Sequence, residues 1–363
     1  MTLPYGRQSI DDADVAAVVA VLRGDLITQG PVVERFEQAL ADKVGASHAV
    51  AFSSGTAALH GAAAAAGFGE GDLVITSPLT FMASANCVRY VGARPGLVDI
   101  DPSTWNLDLA SVPDHVSGVI PVHYAGLPVK LDAWQPAARP IVIEDAAHAL
   151  GASTPSGPVG NCADSSMTCF SFHPVKPITT GEGGVVTTND DDLADRLRRC
   201  RSHGTVRRPE LGGWVYEISE IGYNDRLTDI QAALGLSQLQ RLDRFIERRN
   251  DIAEQYRTLL ADLPITLPPV APAGYRHGYH LFAVTVPDRR VVYDRLREAG
   301  IATQVHYVPV HHHPISADIE LPDGGLPVCD AVYEGLLSLP MFPGLGDDDV
   351  RHVAEQLRRS LDG

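Results

Sequence analysis

The distribution of apolar residues between positions 45 and 190 predicts a parallel α/β sheet. Short runs rich in Val and Ile alternate there with Ala-rich stretches of helical composition, which is the pattern of repeated βαβ units. The predicted strands cover residues 48–52, 73–76, 96–100, 118–122, 140–143, 167–172 and 184–187. Seven strands in this arrangement predict one large, mostly parallel sheet domain.

The apolar pattern changes after residue 227. Apolar positions recur at helical spacing from 228 to 260, which predicts one long helix with a charged outer face. A Pro-rich segment at 263–274 follows, and then a strand (280–286), a helix (289–299), a strand (303–307) and two more helices. This order predicts a small α+β carboxy-terminal domain. We therefore expect a large domain at 1–240 and a small one at 241–363, although the first 20 residues or so could pack elsewhere as an arm.

The charge of the chain excludes several classes of partner. Its 29 Lys and Arg residues stand against 45 Asp and Glu residues, a net charge of −16. This balance repels polyphosphate chains and anionic bilayers, so we expect neither a nucleic-acid nor a membrane partner. The apolar runs are also shorter than the roughly 18 residues that a membrane-spanning helix needs.

The amino terminus and the cysteines predict a cytoplasmic protein. No basic segment followed by an apolar one marks the chain for secretion. Five cysteines, an odd number without a C-x-x-C pair, suit a reducing compartment and give no zinc signature. We expect them to be small core residues.

The segment 48–66 reads as a strand, a Ser/Gly turn and a helix that begins near Thr56. Free backbone N–H groups and the positive end of the helix dipole meet at such a turn and favour an anion. The same Ser-Gly-Thr sequence also suits an ordinary helix cap. No Lys follows the glycines, so the turn is not a P-loop.

Asp145 ends the predicted strand PIVIED, at the carboxyl edge where parallel sheets bind ligands. A carboxylate at this edge can keep a heterocyclic nitrogen protonated. Its alternative role is to cap the next helix.

Lys176 lies in the loop CFSFHPVKPITTGEGG, between Pro174 and Pro177 and close to Ser171. A lysine that condenses with an aldehyde needs a fixed position and a pKa below its usual ~10.4. The alternative is a solvated surface lysine. An anion site, an acid and a placed lysine together match the phosphate, ring nitrogen and aldehyde of pyridoxal 5′-phosphate.

The sequence resembles the DegT/DnrJ/EryC1/StrS family of sugar aminotransferases almost from end to end. The matching strings include LITQGPVVERFE, SSGTAALH, SPLTFMASAN, PVHYAGLP, IEDAAHALGA, SFHPVKPITTGEGG, GYNDRLTDIQAALGLSQL and VHYVPVHHHP. The resemblance implies the aspartate aminotransferase fold, type I of the pyridoxal-phosphate enzymes. Several strings look closest to the branch that aminates UDP-4-keto-4,6-dideoxy-N-acetyl-L-altrosamine in pseudaminic acid synthesis.

The resemblance also implies catalytic roles. Lys176 matches the lysine that holds the cofactor aldehyde and then moves the substrate proton, and Asp145 matches the partner of the ring nitrogen. His148 stands where the family places a Gln or His close to the ring, and Phe81 matches the aromatic residue that covers the ring face.

The phosphate ligands are implied in the same way. Thr56, with the backbone of Gly55 and Ala57, and Ser171 match residues that bind this group. Asn224 matches a residue that the neighbouring subunit delivers to the phosphate, which implies a homodimer with shared active sites.

The implied reaction moves an amino group from L-glutamate to a keto-sugar nucleotide, with pyridoxamine 5′-phosphate as the intermediate form of the cofactor. Two alternatives use the same fold. Sugar dehydratases among the relatives have histidine at the position of Lys176, and a non-catalytic sensor would need no lysine there.

The string HHHP at 311–314 departs from the His-Leu-Gln-Pro that is more frequent in related sequences. We expect no metal site there, because adjacent side chains diverge and no carboxylate partner is evident. The departure leaves the identity of the sugar open.

Overall fold

The computed structural model describes residues 2–362. Its helices are α1 (Asp12–Leu22), α2 (Pro31–Val44), α3 (Gly55–Ala65), α4 (Ala83–Tyr90), α5 (Asp191–Arg201), α6 (Asp229–Leu239), α7 (Leu242–Leu260), α8 (Arg289–Glu298), α9 (Pro327–Gly335) and α10 (Asp347–Asp362). Its strands are β1 (His48–Phe52), β2 (Leu73–Thr76), β3 (Arg94–Leu97), β4 (Gly118–Ile120), β5 (Ile141–Asp145), β6 (Ser153–Thr154), β7 (Gly157–Pro158), β8 (Met167–Ser171), β9 (Gly184–Thr188), β10 (Thr205–Arg207), β11 (Tyr216–Ile218), β12 (Phe282–Thr285) and β13 (Leu336–Leu339).

Seven strands form one sheet in the order β1-β9-β8-β5-β4-β2-β3. Only β9 runs antiparallel to its neighbours, so the mostly parallel sheet predicted from the sequence is confirmed. Three strands of this sheet end earlier than predicted: β8 by one residue, and β3 and β4 by more. β3 stops at Leu97 because the chain turns so that Ile100 pairs with Leu107. β4 stops at Ile120, before Pro121, which has no N–H to continue the ladder.

Helix α3 lies directly against this sheet because its residues are small. A Cβ atom at Gly61 would lie 2.6 Å from the ring of Phe52, so the helix and β1 could not pack this closely with any larger residue. The close contact holds the first turn of α3 at the end of β1.

The single long helix predicted at 228–260 is wrong. The chain forms α6 and α7, which are separated at Gln240 and Arg241. The two helices pack on different partners, α6 on α1 and α2, and α7 on α10. At the junction the side chains of Gln238 and Arg241 both bond to the buried carboxylate of Asp14 on α1. The break between α6 and α7 therefore allows each helix to pack against its own partners.

The predicted strand at 303–307 is also wrong. In this segment Gln304 alone makes a bridge, to Ser338, through backbone hydrogen bonds of 3.3 and 2.7 Å. The partner of β12 is instead β13, a buried strand that the sequence pattern did not distinguish from the helices around it. The α+β character of the carboxy-terminal region is retained.

The first residues of the chain contact its carboxy-terminal half. Leu3 pairs with Ile301, and the carbonyl of Tyr5 accepts a bond of 2.9 Å from the Met341 N–H. The division at residue 240 stays a prediction. Within residues 2–362, none of the helices has the length and apolar character needed to cross a bilayer. All five cysteines are free and buried, as expected.

Candidate functional site

A cavity of about 400 Å³ lies at the carboxyl edge of the sheet, where β4, β5 and β8 end. This is the edge at which parallel α/β sheets bind ligands. It brings together seven of the residues predicted from the sequence: Gly55, Thr56, Phe81, Asp145, His148, Ser171 and Lys176.

The first turn of α3 forms one end of the cavity. The Ser54 side chain caps the helix by accepting the Ala57 N–H at 3.0 Å. A Cβ atom at Gly55 would lie 2.7 Å from Cβ of Ser171, so only glycine allows the helix to begin this close to β8. Ala57 does not line the cavity, and its N–H group is already bonded to the Ser54 side chain.

Asp145 is the last residue of β5, and its side chain is buried. One carboxylate oxygen accepts a hydrogen bond of 2.7 Å from the hydroxyl of Ser84 on α4, and the other accepts the Ala147 N–H at 3.1 Å. Ser84 is in turn within 2.8 Å of the Thr80 hydroxyl. Both carboxylate oxygens therefore have fixed directions.

Lys176 is held in a tight turn of the backbone. Its backbone N–H group donates to the carbonyl of His173 at 2.9 Å. At the start of the turn, the Phe172 N–H donates to the Gly183 carbonyl, and the Phe172 carbonyl accepts the Thr180 N–H. Burial lowers the pKa of Lys176 to about 8, although the negative charge of Asp145 acts in the opposite direction. About a tenth of this amine is thus unprotonated at pH 7, far more than for a solvated lysine with its usual pKa of ~10.4.

The opposite wall of the cavity contains aromatic and imidazole groups. His148 Nε2 lies 3.0 Å from the Tyr307 hydroxyl, and the ring of His148 lies 4.4 Å from that of His280. Burial, and after it the positive charge of Lys176, lowers the pKa of His148 well below its ordinary value. His148 is therefore a neutral imidazole at neutral pH.

Several lining residues were missed by the sequence interpretation, among them Tyr5, His280, His306 and Tyr307. The structure has all four in irregular segments, and the strands predicted at 280–286 and 303–307 did not indicate that His280, His306 and Tyr307 face a cavity. The signal that could have found two of them is the string VHYVP, which the family resemblance already included. Burial lowers the pKa of His306 to about 3, so this side chain is also neutral.

Asn224 does not line the cavity within this chain. It is exposed and bridges to Ser202. The next residue, Asp225, accepts the Ser53 N–H at 2.7 Å, so this segment runs beside the strand end that precedes α3.

The expectation that the histidines at 311–313 diverge is wrong for two of them. His311 and His312 converge on Asp330 of α9, with Nε2–Oδ1 distances of 2.9 Å each. The carboxylate partner was not evident from the sequence, because it lies 19 residues beyond His311.

The donor set of the cavity fits a phosphorylated, aldehyde-bearing pyridine. The glycine-dependent start of α3 offers room for a phosphate, Asp145 can pair with a protonated ring nitrogen, and Lys176 can react with the aldehyde. The buried Nδ1 of His148 has no protein partner within residues 2–362, which leaves a polar atom for a ligand.

Residues 8–358 match the model of the DegT/DnrJ/EryC1/StrS aminotransferase family. The chain belongs to this aminotransferase family. The match covers the whole sheet, every cavity residue except Tyr5, and nearly all of the carboxy-terminal region. The resemblance stated from the sequence is thereby confirmed, and so is the assignment as a transaminase.

Two known proteins match the chain over nearly its whole length. The spore coat polysaccharide biosynthesis protein SpsC of Bacillus subtilis is 38% identical, over 99% of this chain and 97% of SpsC. Helicobacter pylori PseC, an aminotransferase involved in the biosynthesis of pseudoaminic acid, superposes with a TM-score of 0.92 at 29% identity and complete coverage of both chains.

Spr1654 from Streptococcus pneumoniae has structures in a PMP form and a PLP form. Both superpose with a TM-score of 0.90 at 28% identity, and they cover 99% and 100% of this chain and 99% of Spr1654. These neighbours confirm the predicted fold class, that of the pyridoxal-phosphate-dependent sugar aminotransferases.

Proposed function

We propose that the protein transfers an amino group from L-glutamate to a keto-sugar nucleotide, a UDP-4-keto-6-deoxy-N-acetylhexosamine. Its cofactor is pyridoxal 5′-phosphate, which cycles through pyridoxamine 5′-phosphate. The observation that carries the proposal is the meeting of Lys176, Asp145 and the first turn of α3 in one cavity. The similarity to PseC supports the pseudaminic acid branch of the family.

Asp145 and Lys176 have the central roles in this proposal. The bound cofactor supplies a protonated ring that accepts electron density from the substrate. Asp145 keeps the ring nitrogen protonated, and Ser84 holds the carboxylate in the required direction at 2.7 Å. Lys176 Nζ takes up the substrate proton and releases it, which its pKa of about 8 permits near neutral pH.

The remaining lining residues bind and orient the cofactor. Gly55, Thr56 and Ser171 line the cavity at the start of α3 and would hold the phosphate, together with the backbone of Ala57 in the same first turn. Phe81 is 59% exposed at the mouth of the cavity, where its ring is free to cover a bound one. Neutral His148 is suited to hydrogen bonding beside the ring rather than to acid catalysis.

A homodimer is part of the same proposal. The β10–β11 hairpin and the residues after it expose large apolar side chains that a monomer would leave in water: Leu211, Trp214, Tyr216, Ile218 and Ile221. A second copy on this surface would lie close to Asn224, which we propose contacts the partner's phosphate site. Mixing inactive Lys176→Ala and Asn224→Ala subunits should then restore activity, whereas an active monomer would refute the shared site.

The two alternatives have less support. A dehydratase on this fold is expected to have histidine at position 176, and a sensor would have no use for the placed lysine. The net charge of −16 further disfavours a DNA-binding regulator. We place the protein in the cytoplasm, in keeping with its five free cysteines.

The substrate is tested with a panel of UDP- and dTDP-4-keto sugars, incubated with glutamate and analysed by mass spectrometry. We expect amination of a UDP-linked 4-keto-6-deoxy-N-acetylhexosamine and formation of 2-oxoglutarate. Amination of only dTDP sugars would refute the nucleotide assignment. A dehydrated product would support the alternative reaction.

A further inference from the structure

A second cluster of chemically capable side chains lies outside the cavity. His311 and His312 belong to a short 3-10 turn (Val310–His312), and Asp330 lies in the first turn of α9. Both imidazole Nε2 atoms lie 2.9 Å from the same carboxylate oxygen, and all three ligand atoms are within 4.8 Å of one another. Within residues 2–362, this is the only group of three His, Cys, Asp or Glu residues with such convergence.

These distances are close to those of a metal site. Ligands at 2.0–2.1 Å from a tetrahedral Zn²⁺ are about 3.3 Å apart, so the two His–Asp separations need to open by less than about 0.5 Å. The His311 side chain is 11% exposed, whereas His312 is 37% and Asp330 47% exposed. One ligand is thus anchored in the protein and two are accessible to an ion from solvent.

The two elements that carry the ligands are each fixed by distant contacts. The N–H groups of Val328 and Cys329, at the start of α9, donate to the Asp99 carboxylate at 2.8 and 2.9 Å. The Val310 N–H donates to the carbonyl of Pro78 at 2.9 Å. The three ligands therefore converge from preorganised elements, which lowers the conformational cost of binding an ion.

We propose that His311, His312 and Asp330 bind a divalent transition-metal ion of the zinc type, with water in the fourth position. Two imidazoles and one carboxylate suit Zn²⁺ and its neighbours, whereas Mg²⁺ and Ca²⁺ prefer oxygen ligands alone. The ion replaces the His311–Asp330 hydrogen bond and the close His312–Asp330 contact with coordinate bonds to the two Nε2 atoms. In each neutral imidazole the proton then resides on Nδ1, transferred there by exchange with water, so the rings release no net proton.

The position of the cluster gives the ion a structural effect on the cavity wall. Tyr307, which lines the cavity, lies four residues before His311 on the same segment. Pro78, bonded to Val310, lies three residues before Phe81 at the cavity mouth. An ion shared with Asp330 ties this segment to α9 and reduces the motion of the wall. The inference does not depend on the identity of the amino acceptor.

The test is calorimetric titration of Zn²⁺ into tag-free, chelator-treated protein. We expect saturable binding of one ion per chain. His312→Gln and Asp330→Asn should each weaken it at least tenfold, since even the loss of a group that only supports a ligand commonly costs 10–100-fold. His313→Gln is the matched control, because this third histidine lies outside the cluster, and its affinity should equal that of the wild type.

Hydrogen exchange gives a readout that does not use catalysis. Zn²⁺ should slow exchange in the peptide covering residues 305–313 of the wild type and of His313→Gln, but not of His312→Gln. Absence of stoichiometric binding would overturn the proposal. Equal weakening in the His313→Gln control, or binding unaffected by both ligand variants, would also overturn it.

Discussion

The two walls of the cavity are built in different ways. The sheet-side wall consists of residues at the ends of β5 and β8, in the turn after β8, and in the first turn of α3. The C-terminal wall consists of His280, His306 and Tyr307, which lie in irregular segments more than 100 residues farther along the chain than Lys176. The first wall is positioned by the topology of the sheet and the second by individual side-chain contacts.

Arg249 shows how the second wall is held. Its buried guanidinium group donates to the carbonyls of Tyr279, His280 and Met341 at 3.1–3.2 Å. Burial lowers the pKa of Arg249 to about 10. The C-terminal wall is thus held by hydrogen bonds from one long side chain, whereas the sheet-side wall is held by regular backbone pairing between strands. The groups with proposed chemical roles, Asp145 and Lys176, thus lie on the sheet-side wall, and the C-terminal wall surrounds them.

Lys176→Ala should have the largest effect, because it removes the reactive amine from the sheet-side wall. We expect turnover to fall at least about 10²–10⁴-fold, the usual contribution of a positioned proton-transfer group. Glutamate-dependent formation of 2-oxoglutarate measures it. The exposed Lys130→Ala is the control and should behave as wild type. Activity near the wild-type level in Lys176→Ala would contradict the assignment.

Asp145→Asn should cause the second-largest loss of turnover. A charge pair at 4 Å contributes about 4 kcal/mol at an effective dielectric constant of 20, so removing the charge should lower turnover by up to roughly 10³-fold. The negative charge of Asp145 also raises the pKa of Lys176 from the value that burial alone would give. The variant should therefore bring the pKa of Lys176 below about 8 in the cofactor-free protein.

That pKa is measurable from the pH dependence of acylation of Lys176, followed by peptide mass spectrometry. Reaction requires the free amine, so the rate should rise with pH through about 8 in the wild type and at lower pH in Asp145→Asn. An unchanged or higher midpoint in the variant would show that Asp145 does not act on Lys176.

Ser84→Ala tests the positioning of Asp145 rather than its charge. Hydrogen bonds to charged groups contribute about 1.5–3 kcal/mol, so loss of the 2.7 Å bond should lower turnover about 10–100-fold. Ser111→Ala, on a surface turn, is the matched control. The variant Ser84→Thr keeps the hydroxyl group and should therefore have much of the activity that Ser84→Ala loses. No recovery would indicate a packing effect.

Tyr307→Phe should have the smallest effect, because it alters only the C-terminal wall. It removes the hydroxyl 3.0 Å from His148 Nε2, and a neutral hydrogen bond contributes about 0.5–1.5 kcal/mol. We expect a two- to tenfold change, measured separately in kcat and KM. A loss as large as that of Asp145→Asn would remove the distinction between the two walls.

The same distinction explains what the sequence could predict. Asp145 and Lys176 were found because strand ends and proline-flanked turns leave local patterns, and parallel strands bring their carboxyl ends together. His280 and Tyr307 were not recognised as site residues, because their positions depend on long-range contacts: Arg249 bonds to the His280 carbonyl, and the Tyr307 hydroxyl lies 3.0 Å from His148. The false strand at 303–307 has the same cause, because an apolar alternation alone does not show whether a segment finds a pairing partner.

The most direct test of the account is to identify the amine that binds pyridoxal 5′-phosphate. The chain has three lysines, Lys43, Lys130 and Lys176, which makes the result unambiguous. Borohydride reduction of the loaded protein, followed by peptide mass spectrometry, should place the cofactor on Lys176 with a stoichiometry of about one per chain. Stoichiometric labelling of Lys43 or Lys130, with Lys176 unmodified, would contradict the account.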